Sequence, residues 1–412
     1  MPTVLVIYAN SDPVMRESVK ALLHSFERHL VGCQVFYHNS IFNRSPFLAT
    51  YREVDCVIFH HSVTTVWNRS RYRKKLERWL ATSFGGAKKI ALMQDEYKNV
   101  DLLREFVSQI SFDRVFTLAP PSQWVVLYGN DIVKSGVLQQ YLAGYIDQRL
   151  ISTKISKTQT DFHHEKALNR SIDIGYRADW SKMHVKLGKT GLLKRDIASV
   201  CKSAAVERGL SVDIEIGARH FISGAGWHSF MQNCRYMLGV PSGSSVLDYE
   251  GLIESSLLES LKINPQVSEQ NLYEEIVASY EQSLFLEVLS PRHFEAMLNG
   301  CGQILIESEY NGLLKAWEHY LPLKRDFSNL SDIVDASRDE SLRLKIVGNC
   351  QRDIIGSELF TYEKFVGDVV GDLLDARSQK VGSGVAKRIN RQIESMKMKL
   401  LFLRSQVNRL LS

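Results

Sequence analysis

The first third of the chain alternates short apolar runs with amphipathic stretches. "TVLVIYA" (3–9) reads as a buried strand, and "VMRESVKALLHSFERHL" (14–30), apolar at helical spacing, reads as a helix. "DCVIFHHS" (55–62) and "KKIALMQDEY" (88–97) are further strands. Each is followed by a helix, "RYRKKLERWLATS" (71–83) and "VDLLREFVSQI" (100–110), and "RVFTLAP" (114–120) is a fourth strand. Strand–helix alternation of this kind specifies a parallel sheet covered on both faces.

A polar stretch without periodicity, residues 147–170, reads as a linker. A second series then begins with "SIDIGYR" (171–177, strand), "TGLLKRDIASVCKSAAVERG" (190–209, helix) and "SVDIEIG" (211–217, strand). It continues with a short helix "WHSFMQNC" (227–234), a strand "RYMLGVPSG" (235–243), a helix "NLYEEIVASYEQS" (271–283) and a strand "GQILIES" (302–308). The expected fold class is therefore α/β, with two tandem Rossmann-like, doubly wound domains over 1–160 and 161–375.

A third unit is expected at 385–412. Ile389, Ile393, Met396, Leu400, Leu403, Val407 and Leu410 recur at alternating spacings of four and three, a heptad seam. The preceding "VGSGV" separates it from the body. The same segment carries seven Lys/Arg and one Glu, a net of +6 out of the chain's +5, so the body is near neutral at 5 − 6 = −1. A nucleic-acid-binding body is not indicated. The tail reads as a coiled coil that builds a homo-oligomer, or as a basic amphipathic helix lying on anionic lipid, or as a helix packed on the body.

Of 412 residues, 44% are hydrophobic and 24% charged, which suits a soluble two-domain protein. The six cysteines are scattered without a C-x-x-C pair, so neither zinc nor a disulfide framework is expected, and the compartment reads as reducing cytoplasm. Neither a secretion signal nor an apolar run of about 20 residues is recognisable.

The densest chemistry lies at 284–306, "LFLEVLSPRHFEAMLNGCGQILI". Ser290 suits an N-cap and Pro291 the first helical position, so a helix should begin there. Its N-terminus offers amide N–H groups and partial positive charge. Arg292 and His293 in that first turn are unfavourable unless something negative is bound nearby, and a diphosphate would meet both the amides and the guanidinium. Glu295, one turn in, could accept from a ribose diol, and Glu287, before the turn, from sugar hydroxyls.

Tandem Rossmann-like domains with Glu287-x7-Glu295 in the second resemble a GT-B fold glycosyltransferase. "DIGYR" (173–177), "LGVPSGSSVLDYEG" (238–251), "SPRHFEA" (290–296), "WEHYLPLKRDFSNL" (317–330), "QDEY" (94–97) and "LAGYI" (142–146) resemble a bacterial polysaccharide-locus group within that fold. The resemblance covers most of 1–370 and not the tail. It implies that Glu295 binds the nucleotide ribose, that Glu287 contacts the donor sugar, and that Arg177 with Lys186 or Lys189 holds the donor diphosphate. It leans towards retention of anomeric configuration. "PSGSS" (241–245) follows a strand, and its small residues and hydroxyls, Ser242 and Ser244, suit close approach to phosphate.

Polar residues at the strand ends of the first domain are the expected acceptor side: Asn10, Asp12 and Tyr97, with Asp95 or Glu96 and His60 or His61 as catalytic candidates. One carboxylate there could deprotonate an acceptor hydroxyl, and a capping role competes with that reading. At most one of His60 and His61 should face a ligand, since neighbours on a strand point opposite ways. Glu318 and His319 lack further ligands, so metal-independent chemistry is expected.

The expected activity is transfer of a glycosyl group from a nucleotide sugar to a saccharide or lipid-linked saccharide hydroxyl, in a cleft between the domains, in the cytoplasm, with the inner face of the membrane as the alternative place. A nucleotide-sugar epimerase, or a non-catalytic scaffold of the same fold, is the alternative.

Overall fold

A computed structural model describes residues 1–11, 15–41, 54–82, 84–155, 170–222 and 224–374. Asp12, residues 156–169 of the linker and the tail at 385–412 lie outside the described residues. The chain divides into two compact units, each doubly wound α/β.

The first unit runs from Met1 to Tyr141 and includes the later helix Tyr362–Leu374. Its sheet holds six parallel strands: β1 (Thr3–Tyr8), β2 (Gln34–Asn39), β3 (Cys56–Phe59), β4 (Lys88–Leu92), β5 (Arg114–Thr117) and β6 (Leu138–Gln140), in the order β2-β1-β3-β4-β5-β6. Val4, Leu5, Val6 and Ile7 are completely buried. Consecutive burial on both faces is what a covered parallel strand requires, and each side chain contributes roughly 2 kcal/mol. The sequence reading placed Tyr362–Leu374 within the second domain. Instead Phe365 meets Phe26 at 6.0 Å and Tyr141 at 5.9 Å, and the Asp368 carbonyl accepts from Arg114 at 3.2 Å.

The second unit is Leu142–Thr361. Part of the expected linker is the helix Gln148–Ile155, and "LAGYI" belongs here, with Ile146 bridging Thr361. The sheet holds β7 (Ile172–Ala178), β8 (Val212–Ile216), β9 (Cys234–Gly239), β12 (Gly302–Ile306) and β13 (Leu321–Leu323), all parallel, in the order β13-β12-β9-β7-β8. Between β9 and β12 the chain forms an antiparallel pair, β10 (Ser242–Val246) with β11 (Glu281–Val288). Most of the expected helix 271–283 is π and 3-10 turns that end at Tyr280, and Glu281 onward is strand. Strand alternation sorts the faces of β7. Ile174, Tyr176 and Ala178 join the core against the helix Gly188–Glu207, while Gly175 faces Phe230 of the helix Gly224–Asn233.

His60 and His61 follow β3, which ends at Phe59. Because they lie past the strand they do not alternate: both are buried, with ring centroids 4.0 Å apart. His60 Nδ1 accepts from the Ser62 N–H at 3.2 Å and caps the turn, and Ser62 Oγ in turn accepts from the Ala9 N–H at 3.0 Å. Burial, reinforced by the neighbouring ring of His61, pushes His60 well below its ordinary pKa, and burial takes His61 down to about 4. Neither ring is a solvent-reachable catalytic base; the pair closes the end of β3 on β1.

Two predictions follow from this packing. A Cβ on Gly175 would stand 2.3 Å from Cys234 Sγ and 3.0 Å from Phe230 Cζ. Gly175→Ala should therefore cost about 1–3 kcal/mol in urea unfolding, while Gly85→Ala, with nothing within 4 Å, should stay within about 0.5 kcal/mol. The second concerns pH. His61 is neutral when folded, and its unfolded form takes up a proton near its ordinary 6.5. The unfolded state thus binds more protons between pH 6.5 and about 4, and stability is lost as pH falls through that window. The loss is on the order of 3 kcal/mol. His61→Phe, which cannot titrate, should flatten the slope of unfolding free energy against pH there; an unchanged slope refutes the assignment.

Candidate functional site

The second sheet reverses its winding between β7 and β9, and ligands of open α/β sheets bind outside the carboxyl ends at such a switch point. The first turn of the helix Pro291–Leu298 lies there. Arg292 Nη1 donates to the Arg177 carbonyl, near the end of β7, at 2.5 Å. A Cβ on Gly239, the last residue of β9, would lie 3.4 Å from His293 Nε2. Pro291 packs so closely on Gly144 that a Cβ there would meet its Cγ at 2.6 Å.

Ser290 and His293 form a reciprocal capping box rather than a ligand contact. His293 Nδ1 accepts from the Ser290 N–H at 3.1 Å and lies 2.9 Å from Ser290 Oγ, and both residues are buried. Burial lowers the His293 pKa to about 4, so the ring is neutral and its proton resides on Nε2. These two expected donor contacts are thus directed inward. Arg292 and Glu295 remain outward. Arg292 is exposed, with its guanidinium carbon 5.5 Å over the Trp227 ring, and the half-buried Glu295 accepts from Trp227 Nε1 at 2.7 Å.

The basic residues in and after β7 are less free than the resemblance implies. Arg177 lies within the strand. It donates to Asp213 Oδ1 at 2.7 Å and to the Asp213 carbonyl at 2.9 Å, and its guanidinium sits 4.4 Å over Phe230. Its side chain is structural; only its carbonyl reaches the rim. Lys186 pairs with Glu254 at 3.0 Å. Lys189 is exposed, and among the described residues its ammonium has no partner. The N-terminus of the helix Gly188–Glu207 is already filled by a carboxylate: Glu281 accepts from the Lys189 N–H at 2.8 Å, Ser245 Oγ at 3.2 Å and Tyr273 OH at 3.2 Å. Gly188, at φ +65°, is required there, since a Cβ would stand 2.5 Å from that carboxylate.

Ser244 is fully buried, with its hydroxyl engaged by Leu187 and Val246 main chain, so it is not a phosphate contact. Ser242 stays half-exposed opposite Val288. Gly243 faces Glu287 across the β10/β11 pair at φ +127°, where a Cβ would overlap the Leu286 carbonyl. The Glu287 side chain is 7% exposed. It accepts from Ser308 Oγ at 2.8 Å and Thr190 Oγ1 at 3.4 Å and forms an ion pair with Arg325. Sequence reasoning missed Arg325; the available signal was a basic pair, Lys324-Arg325, directly after the apolar "LPL" that forms β13.

In the first unit, Glu96 is buried and accepts from Thr117 Oγ1, Tyr128 OH and the Leu118 N–H. Burial raises its pKa, against those hydrogen bonds. It knits β4 to β5 and is not an accessible base. Asp95 is half-exposed at φ +55°, with Tyr97 OH 3.3 Å from its carboxylate. Asn10 exchanges main-chain and side-chain hydrogen bonds with Asn39 at 3.1 and 2.8 Å. A surface hollow at the carboxyl ends of β3 and β4 is lined by Thr64, Asn68, Gln94, Asp95, Lys98 and Trp67, among others.

Folding adds Asp353 to Glu318 and His319, with potential ligand atoms within 4.8 Å of one another. The donor chemistry does not suit a metal. His319 Nδ1 accepts from the Lys315 N–H at 3.1 Å, which places the imidazole proton on Nε2, the atom facing Asp353 at 3.2 Å. Arg352 covers both Asp353 oxygens at 2.7 Å and, with His319, holds that carboxyl down at about 2.

No protein-family profile and no curated protein sequence matches the chain. Among solved structures, the chain is similar to Anabaena HepE in complex with UDP, at 13% identity over 92% of this chain and 100% of that one, with a TM-score of 0.49. It is also similar to a sucrose-phosphate synthase from Thermosynechococcus elongatus, at 11% identity over 92% and 100%, with a TM-score of 0.46. An α-glucosyltransferase in complex with UDP and mismatched DNA matches at 10% identity over 86% and 96%, with a TM-score of 0.45.

Proposed function

We propose that the chain is a GT-B glycosyltransferase that takes a nucleoside-diphosphate sugar on its second unit and transfers the glycosyl group to a hydroxyl of a saccharide or lipid-linked saccharide, in bacterial surface polysaccharide synthesis. One observation carries the reading. At the switch point of the second sheet, one helix turn presents an exposed guanidinium, Arg292, beside a half-buried carboxylate, Glu295, one turn later. That pair matches a diphosphate next to a ribose diol. Lys189 is the second cation for the diphosphate, since Lys186 and Arg177 are engaged elsewhere. The Glu287 side chain, buried and held by Arg325, Ser308 and Thr190, braces this edge of the sheet. Charge on the departing phosphate would be met by these fixed cations without a metal.

The acceptor side lies in the first unit, with Asp95 and Tyr97 beside the hollow that also takes in Thr64, Asn68 and Lys98. Burial of Glu96, His60 and His61 leaves Asp95 as the accessible carboxylate among the expected bases. With the other three candidates buried, the reading is retention, in which the departing phosphate itself takes the acceptor proton, and Asp95 is the one candidate through which inversion could run. The basic tail is assigned to oligomerisation, or to contact with a membrane surface.

Thermal shift with UDP, GDP, ADP, CDP and dTDP tests the donor reading, because a saturating ligand raises the melting point by mass action. One nucleotide should stand out. Arg292→Ala should weaken it roughly tenfold or more, as expected for loss of a charge-assisted contact. Failure of every nucleoside diphosphate to bind would sink the proposal. Asp95→Asn should retain at least a tenth of wild-type turnover, roughly one transition-state hydrogen bond; complete loss with donor binding intact would establish inversion instead.

A further inference from the structure

Trp227 was not among the residues singled out from the sequence; it lay in a segment read only as a short helix. In the structure it belongs to the helix Gly224–Asn233, and it is the hub of the outward-facing groups at the switch point. Its indole N–H donates to Glu295 Oε2 at 2.7 Å. Its ring supports the Arg292 guanidinium at 5.5 Å. Its other neighbour is Phe230, stacked at 5.7 Å with planes 26° apart, and Phe230 carries Arg177, which is anchored on Asp213.

We infer that Trp227 is a positioning residue: its indole N–H fixes the Glu295 carboxylate so that the opposite oxygen receives the ribose diol of a bound nucleoside diphosphate. The inference rests on the donor reading above and adds the residue that sets its preference for ribose.

The chemistry is specific. A glutamate on a helix surface has several rotatable bonds, and ordering it on binding opposes affinity. An indole N–H is a donor with no acceptor capacity, on a ring whose own orientation is set by stacking. It therefore occupies one carboxylate oxygen and leaves the lone pairs of the other for donors from outside. Among the described residues, Glu295 Oε1 has no side-chain partner. Two vicinal hydroxyls are donors of the right kind for that oxygen. The same ring lies under the Arg292 guanidinium in a cation–π contact, so one indole adjoins both the cation and the carboxylate.

Calorimetry on the full chain, with UDP, GDP and their 2′,3′-dideoxy counterparts as probes, tests this. The wild type should bind the ribonucleotide more tightly than its dideoxy form. Trp227→Phe keeps an aromatic ring at this position and removes the N–H together with the indole's second ring. It should weaken the ribonucleotide about fivefold, in line with losing part of a charge-assisted hydrogen bond, and change the dideoxy form less than about twofold. In a Glu295→Ala background, Trp227→Phe should add nothing, since a coupled pair is non-additive. Glu295→Gln, which disturbs packing least, should show the same selective loss if Trp227→Phe fails to fold. Equal losses for ribo and dideoxy forms overturn the inference and leave the donor reading standing. A wild type that binds both forms equally overturns the inference together with the assignment of Glu295 to the ribose diol, and leaves the diphosphate contact of Arg292 standing. Binding of neither UDP nor GDP in any form overturns both.

Discussion

The second unit depends on how it accommodates the charge of Glu287. The side chain is 7% exposed, and a carboxylate taken that far out of water costs several kcal/mol unless paired. Its partners come from three separate segments: Arg325 after β13, Ser308 after β12, and Thr190 in the helix that follows β7. One charge therefore fixes the β10/β11 pair against the carboxyl ends of the sheet. Gly243 is part of the same constraint, because it faces Glu287 at a φ open only to glycine and its Cβ position is occupied by the Leu286 carbonyl. Removing Arg325 alone would leave a buried, unpaired carboxylate, which is the costly half of breaking such a pair.

The same logic explains why many expected ligand contacts face inward. Helix N-termini invite anions, and in this unit several of them are served internally. Glu281 fills the start of Gly188–Glu207, and the Ser290–His293 box closes the start of Pro291–Leu298. Arg177 and Lys186 likewise have acidic partners. Of the expected donor contacts, Arg292 and Glu295 stay outward at the switch point, and Lys189 is exposed at the start of its own helix.

The sequence made the architecture legible because hydrophobic period is a local signal. Strand–helix alternation located most strands of both sheets, and Ser290-Pro291 located a helix start to the residue. Roles of individual side chains were less legible, because they depend on partners distant in sequence. Arg177 meets Asp213 across adjacent strands, and Glu287 meets Arg325 from the far side of β12. No spacing rule exposes such pairs. His60 and His61 were read through strand alternation, which ceased to apply where β3 stopped one residue earlier. The boundary between units was obscured for another reason: the helix Tyr362–Leu374 rejoins the first unit after the whole of the second. Periodicity reports that a helix exists, not the body on which it packs.

Trp227 shows how a residue without charge can govern charged ones. Arg292 in a first helical turn is opposed by the helix dipole, and sequence alone reads that as a request for a bound anion. The structure supplies another compensation, the indole face and the Arg177 carbonyl, so the guanidinium is stable before any ligand arrives. This changes the physical meaning of the conflict. An arginine tolerated only when phosphate is present would be ordered by binding and would lose affinity to that ordering. An arginine already supported on a stacked aromatic pair is preorganised, so electrostatic attraction is not spent on immobilising its own side chain. The placement of Arg292 then rests on the Phe230–Trp227 stack beneath it.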